Sequence, residues 1–127
     1  MDSFDTPQRA MFVIPHPDVG ESGCGGTVAK WVAESCQVLF VVCTNGDKGT
    51  SDPDMTSKRL AQIREEEQCK AAAVLGVQEL VFLGHGDGEL EDTKLFRGQL
   101  VRQIRRFKPD VVFATDPFHA RTHSHRD

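Results

Sequence analysis

The 127-residue sequence holds no apolar run near the ~20 residues that a bilayer-crossing helix needs; its longest strongly apolar stretch is Val38 to Cys43. The opening MDSFDTPQRA has no basic-then-apolar signal pattern, so a cytoplasmic location is the expectation. There is no excess of positive charge either. Lys+Arg 15 against Asp+Glu 19 gives a net charge of -4, which argues against a nucleic-acid binder. The four cysteines, Cys24, Cys36, Cys43 and Cys69, contain no Cys-x-x-Cys pair, so neither a structural zinc site nor a thioredoxin-type centre is expected from them. Cys36 and Cys43 flank an apolar stretch and read as buried thiols rather than as a disulfide framework. Internal repeats and low-complexity linkers are also missing, and the length suits a single domain over 1–127.

What is there is an alternation of strands and helices. Met11–Ile14 is a short apolar run stopped by Pro15, the pattern of a buried parallel strand. Gly23-Cys24-Gly25-Gly26 reads as a glycine loop opening a helix from Thr27 to about Ser35, with Val28, Trp31 and Val32 at helical spacing. A second strand covers Val38–Val42, and the turn formers from Thr44 to Asp54 form a loop at its carboxyl end. Thr56 or Ser57 caps a long helix that runs through Leu75 and stops at Gly76. Strand three is Glu79–Leu83, followed by the turn Gly84-His85-Gly86-Asp87-Gly88. A helix marked by Leu95, Leu100, Val101, Ile104 and Phe107 then ends before Pro109, and Val111–Ala114 is strand four. This order predicts an α/β fold: a Rossmann-like open, mostly parallel sheet with helices on both faces.

Ligands of such sheets bind beyond the carboxyl ends of the strands. Here those ends carry His16-Pro17-Asp18, Thr44 to Lys48, His85-Gly86-Asp87, and Asp116 through His119 to His123 and His125. The five histidines are therefore expected around one polar mouth. The glycines at 23–26 admit a competing reading as a phosphate loop, hence a small nucleotide-binding module, although they lack the Gly-Lys-Ser/Thr of a P-loop and the order of the dinucleotide fingerprint. His119, His123 and His125 admit independent metal binding.

The stretch His16-Pro17-Asp18-Val19-Gly20-Glu21-Ser22-Gly23-Cys24-Gly25-Gly26-Thr27 resembles the signature of the LmbE/PIG-L-like family of zinc-dependent de-N-acetylases, which usually reads His-Pro-Asp-Asp-x-Glu-x-Gly-x-Gly-Gly-Thr. Thr44-Asn45-Gly46-Asp47, Arg64-Glu65-Glu66-Glu67, Phe82-Leu83-Gly84 with Asp87-Gly88, and Lys108-Pro109-Asp110-Val111-Val112 resemble later family segments in order and spacing. The resemblance implies hydrolysis of the amide of N-acetylglucosamine-type sugar conjugates, with Zn2+ as cofactor. It implies His16 as a zinc ligand, Asp18 as general base, His125 as the histidine that stabilises the oxyanion, and Arg64 and Asp87 as substrate contacts. Arg64 can equally form a helical ion pair with Glu67 or a contact with Gln68, and Asp87 can equally be a structural carboxylate of its turn.

Two positions depart from the family pattern. The second Asp of the motif, a zinc ligand in the family, is Val19, which has no lone pair to offer, and Glu21 matches the family's own Glu. The closing motif His-x-Asp-His is represented by His125-Arg126-Asp127, with the third ligand expected just beyond. The resemblance thus implies an N-terminal part of the catalytic domain in which zinc binding and hydrolysis are weakened or lost. A non-catalytic descendant that binds a sugar or a partner through the same mouth is the alternative. The expected partner is a small N-acetylated sugar conjugate, without nucleic acid or a membrane span, and with homo-oligomerisation through uncovered apolar faces.

Overall fold

A computed structural model describes residues 5–17, 19–47 and 51–115, the side chains of 19–23 excepted. Its elements are β1 (Arg9–Ile14), α1 (Val19–Ala33), β2 (Gln37–Thr44), α2 (Ser57–Leu75), β3 (Glu79–His85), α3 (Lys94–Phe107) and β4 (Val111–Ala114). The four strands form one parallel sheet in the order β3-β2-β1-β4. The side-chain period of two sorts the apolar residues onto its faces. Phe12, Val38, Phe40 and Val42 pack with Val28, Trp31, Val32 and Leu75 of α1 and α2, whereas Met11, Leu39 and Val41 pack with Leu100 and Phe107 of α3. Both faces of β1 and β2 are therefore covered, which is why these strands read as unbroken apolar runs rather than as alternating ones. The expected doubly covered α/β sheet is the fold observed.

Register is pinned by aromatic side chains across three strands. Phe12 lies opposite both Phe40 and Phe113, and its ring meets theirs at centroid distances of 5.5 and 4.9 Å. At the amino ends, the Asp110 carboxylate accepts from the backbone N–H groups of Gln8 and Arg9 at 3.0 and 2.9 Å, fixing where β4 meets β1.

The caps of α2 and α3 follow the sequence. Thr56 accepts from the Arg59 amide and Thr93 from the Phe96 amide, each satisfying a first-turn donor. Past α2, Gly76 takes φ +80°, its N–H reaches Ala73 and the Val77 N–H reaches Ala72, a Schellman arrangement. Lys108 ends α3 in the left-handed region, with its amide on the Ile104 carbonyl and Pro109 barring continuation.

The first helix differs from expectation. It begins at Val19, so Gly23, Gly25 and Gly26 lie inside α1 and form no loop. Glycine disfavours helix by only about 1 kcal/mol per residue, and the packing of Cys24, Val28, Trp31 and Val32 onto the sheet outweighs that cost. The phosphate-loop reading of these glycines is thereby overturned. Strands β1, β2 and β3 are also longer than their apolar cores, and β3 runs through Gly84 and His85, which had read as a turn.

Cys36 and Cys43 are buried, as expected; desolvation pushes the Cys36 thiol pKa up. Cys69 is exposed. Two glycines should respond to alanine with opposite signs. At Gly76 a methyl group would stand 2.7 Å from Val32 Cγ1 and would enforce an unfavourable φ, so Gly76→Ala should cost about 2 kcal/mol or more. At Gly98, inside α3 with nothing within 4 Å, Gly98→Ala should add roughly 0.5–1 kcal/mol. Urea unfolding of the two variants measures both signs.

Candidate active site

Parallel pairing puts the carboxyl ends of β1, β2 and β3 on one rim of the sheet, and hydrogen bonds lace those ends together. The Thr44 amide and hydroxyl both donate to the Pro15 carbonyl, at 3.0 and 2.7 Å, holding the turn after β1 against the end of β2. The Asn45 amide donates to the His85 carbonyl at 3.0 Å, holding β2 against the end of β3. Between Phe82 and His85 the register slips by one residue, so that Thr44 pairs with His85. The extra residue is accommodated where Gly84 takes φ +75°, a conformation that glycine adopts without steric cost.

Upon this rim stand His16 and Asp87. His16 Nε2 lies 3.5 Å from Asp87 Oδ1, longer than a well-formed hydrogen bond yet close enough for charge attraction when the imidazole is protonated. Both side chains are mostly buried, at 19% and 15% exposure, so the attraction is screened less than at an open surface. Asp87 is held in turn by its own backbone: its N–H donates to Asp47 Oδ1 at 2.9 Å, and the Asp47 amide donates to Asn45 Oδ1 at 3.2 Å. The fourth group, Arg64, comes from α2. Gly46, at φ +65°, sits between Pro17 and Arg64, where a Cβ would lie 3.3 Å from Pro17 Cδ and 3.6 Å from Arg64 Cγ. The stem of Arg64 therefore lies beside the β2 loop, and its Nη1 donates to Glu67 Oε2 at 3.1 Å.

The structure thus brings His16, Asp87 and Arg64 to one rim from three separate elements. The expected Arg64–Glu67 ion pair is also present, so one guanidinium edge is turned along the helix. Asp18 and His125, as well as His119 and His123, lie outside the described residues. Asp47 carries no individual signal in the sequence: the Thr44–Asp47 loop resembles a family segment, and only the fold shows that its carboxylate supports Asp87. His85 was placed at the mouth, and its ring is turned to α3, Nε2 donating to Gln99 Oε1 at 2.6 Å.

Chemically, an imidazole, two carboxylates and a guanidinium on one rim supply acceptors and donors for hydroxyl groups, and a base. Among the described residues no group of three or more His, Cys, Asp or Glu side chains is gathered to hold a metal ion. A cavity beside the rim, lined by Thr44, Asn45, Ala61, Glu65, Phe82 and Gly84, has a volume of about 30 Å³, room for little more than a water molecule. A larger hollow of about 410 Å³, lined in part by Arg9, Glu34 and Gln37, lies at the amino ends of the strands, away from these residues.

Known proteins resemble this chain over most of its length. The family model described as PIG-L, GlcNAc-PI de-N-acetylase, matches residues 11–127. Diacetylchitobiose deacetylase of Thermococcus kodakarensis is 33% identical over 92% of this chain and 44% of its own length. Mycothiol S-conjugate amidase of Streptomyces coelicolor is 33% identical over 91% of this chain and 49% of its own. The solved N,N'-diacetylchitobiose deacetylase from Pyrococcus horikoshii superposes with a TM-score of 0.90 at 33% identity, covering 97% of this chain and 49% of that one. The chain spans about half the length of the curated relatives that it matches.

The support beneath Asp87 can be tested directly. Asp47→Leu removes the acceptor of a partly buried amide and should cost about 1–3 kcal/mol, whereas Asp47→Asn keeps an oxygen in place and should cost less than about 1 kcal/mol. Chemical denaturation of both variants distinguishes an acceptor role from a loop without constraint.

Proposed function

The chain belongs to the PIG-L (GlcNAc-PI de-N-acetylase) family, and on that premise we propose that its site serves amide hydrolysis on N-acetylglucosamine-type sugar conjugates, with metal binding and turnover reduced in this chain. The observation that carries this reading is the convergence of His16, Asp87 and Arg64 at the strand ends. Deacetylase and amidase relatives support the reaction class.

The residues divide the work as follows. Asp87, its backbone anchored on Asp47, presents carboxylate oxygens that accept from sugar hydroxyls. The Arg64 guanidinium, with its stem beside Gly46, offers a fork of donors to the same sugar or to an attached anionic group. Asp18, next after Pro17, is proposed as the base that takes the proton of the attacking water and returns it to the departing amine. His125 is proposed as the donor to the oxyanion.

The donor set does not fit a complete zinc centre. His16 supplies one imidazole, and Val19, at the family's second ligand position, supplies no lone pair. A hydrolytic zinc site needs three protein ligands and an open position. Zinc held at His16 without a donor from position 19 is therefore held weakly. A non-catalytic sugar-binding role is the second reading, favoured by the same valine.

Position 19 opens α1, where an acidic residue is favoured by the helix dipole, so Val19→Asp should leave the helix intact. We expect the protein to retain well under one zinc per chain after desalting, by elemental analysis. Val19→Asp should bind zinc at least about tenfold more tightly and, in a longer chain that supplies a third ligand, raise amine release from N,N'-diacetylchitobiose. One tightly held zinc with valine in place would overturn the weakened-site reading. Saccharide binding without amine release in a zinc-loaded, longer chain carrying Val19→Asp would favour the non-catalytic role.

A further inference from the structure

The Asp87 loop is steadied on its far side by a pair of residues that none of the proposed chemistry uses. His85 is the last residue of β3, and the register slip at Gly84 sets it opposite Thr44. Its backbone carbonyl is taken by the Asn45 amide, while its ring leaves the sheet for α3. There Nε2 donates to Gln99 Oε1 at 2.6 Å, and the ring meets Phe96 edge-on with centroids 5.4 Å apart. His85 is half-buried, so loss of the Gln99 acceptor would leave its N–H poorly compensated. At the opposite end of β3, Arg106 of α3 pairs with Glu79 at 3.1 Å. Helix α3 is thus fastened to β3 at both ends, but only the His85–Gln99 fastening is next to the site.

Gly86 alone separates His85 from Asp87. A glycine transmits little constraint of its own, so the direction in which Asp87 leaves the strand depends on what holds His85 before it, on Asp47 beside it and on the turn around it, where the Glu89 amide donates to the Gly86 carbonyl at 3.0 Å. We propose that His85 and Gln99 are positioning residues: their bond fixes the end of β3 and thereby the Asp87 carboxylate against His16. Phe96 backs the ring and limits its rotation. Neither residue needs to touch substrate. The assignment of Asp87 to a sugar rests on the proposed function; the positioning of Asp87 does not.

The test therefore has two readouts. Amide hydrogen exchange by NMR reports the Asp87 N–H, which is bonded to Asp47, against the Val41 N–H in the core of β2. Gln99→Leu should speed Asp87 exchange by about tenfold while Val41 exchange changes little, and Gln99→Glu, which keeps an acceptor for Nε2, should restore protection. Unchanged Asp87 exchange in Gln99→Leu would overturn the proposal, as would equal acceleration at Val41, which would signal general destabilisation. The second readout is affinity for N,N'-diacetylchitobiose by titration calorimetry. Gln99→Leu should weaken it several-fold in the native sequence and have no further effect in an Asp87→Ala background, the non-additivity expected of residues acting through one another. Additive losses would overturn the route through Asp87. If the unaltered protein binds no saccharide while the exchange result holds, the positioning stands and the sugar-binding reading falls.

Discussion

Everything at the rim depends on the parallel pairing of β1, β2 and β3. Parallel neighbours require crossover helices, and crossovers return each strand in the same direction, so three carboxyl ends and the loops after them share one edge of the sheet. Residues far apart in the chain then become neighbours without any long-range contact designed for the purpose. The hydrogen bonds from Thr44 to Pro15 and from Asn45 to His85 complete the ladder where regular pairing ends. A one-residue slip of β1 against β2 would turn Phe12 away from Phe40 and transfer the core side chains to the opposite face. The aromatic contacts among Phe12, Phe40 and Phe113 therefore guard the geometry of a site to which they contribute no atom.

On that base the loops are shaped by a few backbone exceptions. Gly46 and Gly84, both at positive φ, let the β2 loop pass between Pro17 and Arg64 and let β3 take in an extra residue before His85. Each aims a polar group: Gly46 admits the Arg64 stem, and the slip at Gly84 turns His85 to α3. The glycines of α1 work differently, since Gly25 and Gly26 have nothing within 4 Å of an added Cβ and lie in ordinary helix. Neither close approach nor positive φ accounts for them among the described residues.

This contrast explains what could be read from the sequence and what could not. The bounds of α2 and the span of β4 were legible because their signals are local: Thr56 and Gly76 cap one, and Pro109 precedes the other. The start of α1 was not, because a run of glycines signals a loop locally and only the packing of Cys24, Val28, Trp31 and Val32 makes it a helix. His16, Asp87 and Arg64, which the fold brings to one rim, stand in motifs that resemble a family. Asp47 and Gln99 were not legible, because their roles are contacts across the sheet and between β3 and α3, and neither contact leaves a trace in spacing.

The same separation bears on Val19. The contacts that organise the rim are made by Pro15, His16, Thr44, Asn45, Asp47, His85 and Asp87, all outside position 19. Exchanging the family's aspartate for valine there takes away a lone pair and removes none of these partners. The described contacts of the rim thus call on no carboxylate at position 19. Stability in this fold is carried by buried apolar side chains and laced strand ends, whereas the chemistry placed on such a fold rests on a few donor atoms, so the two can change separately.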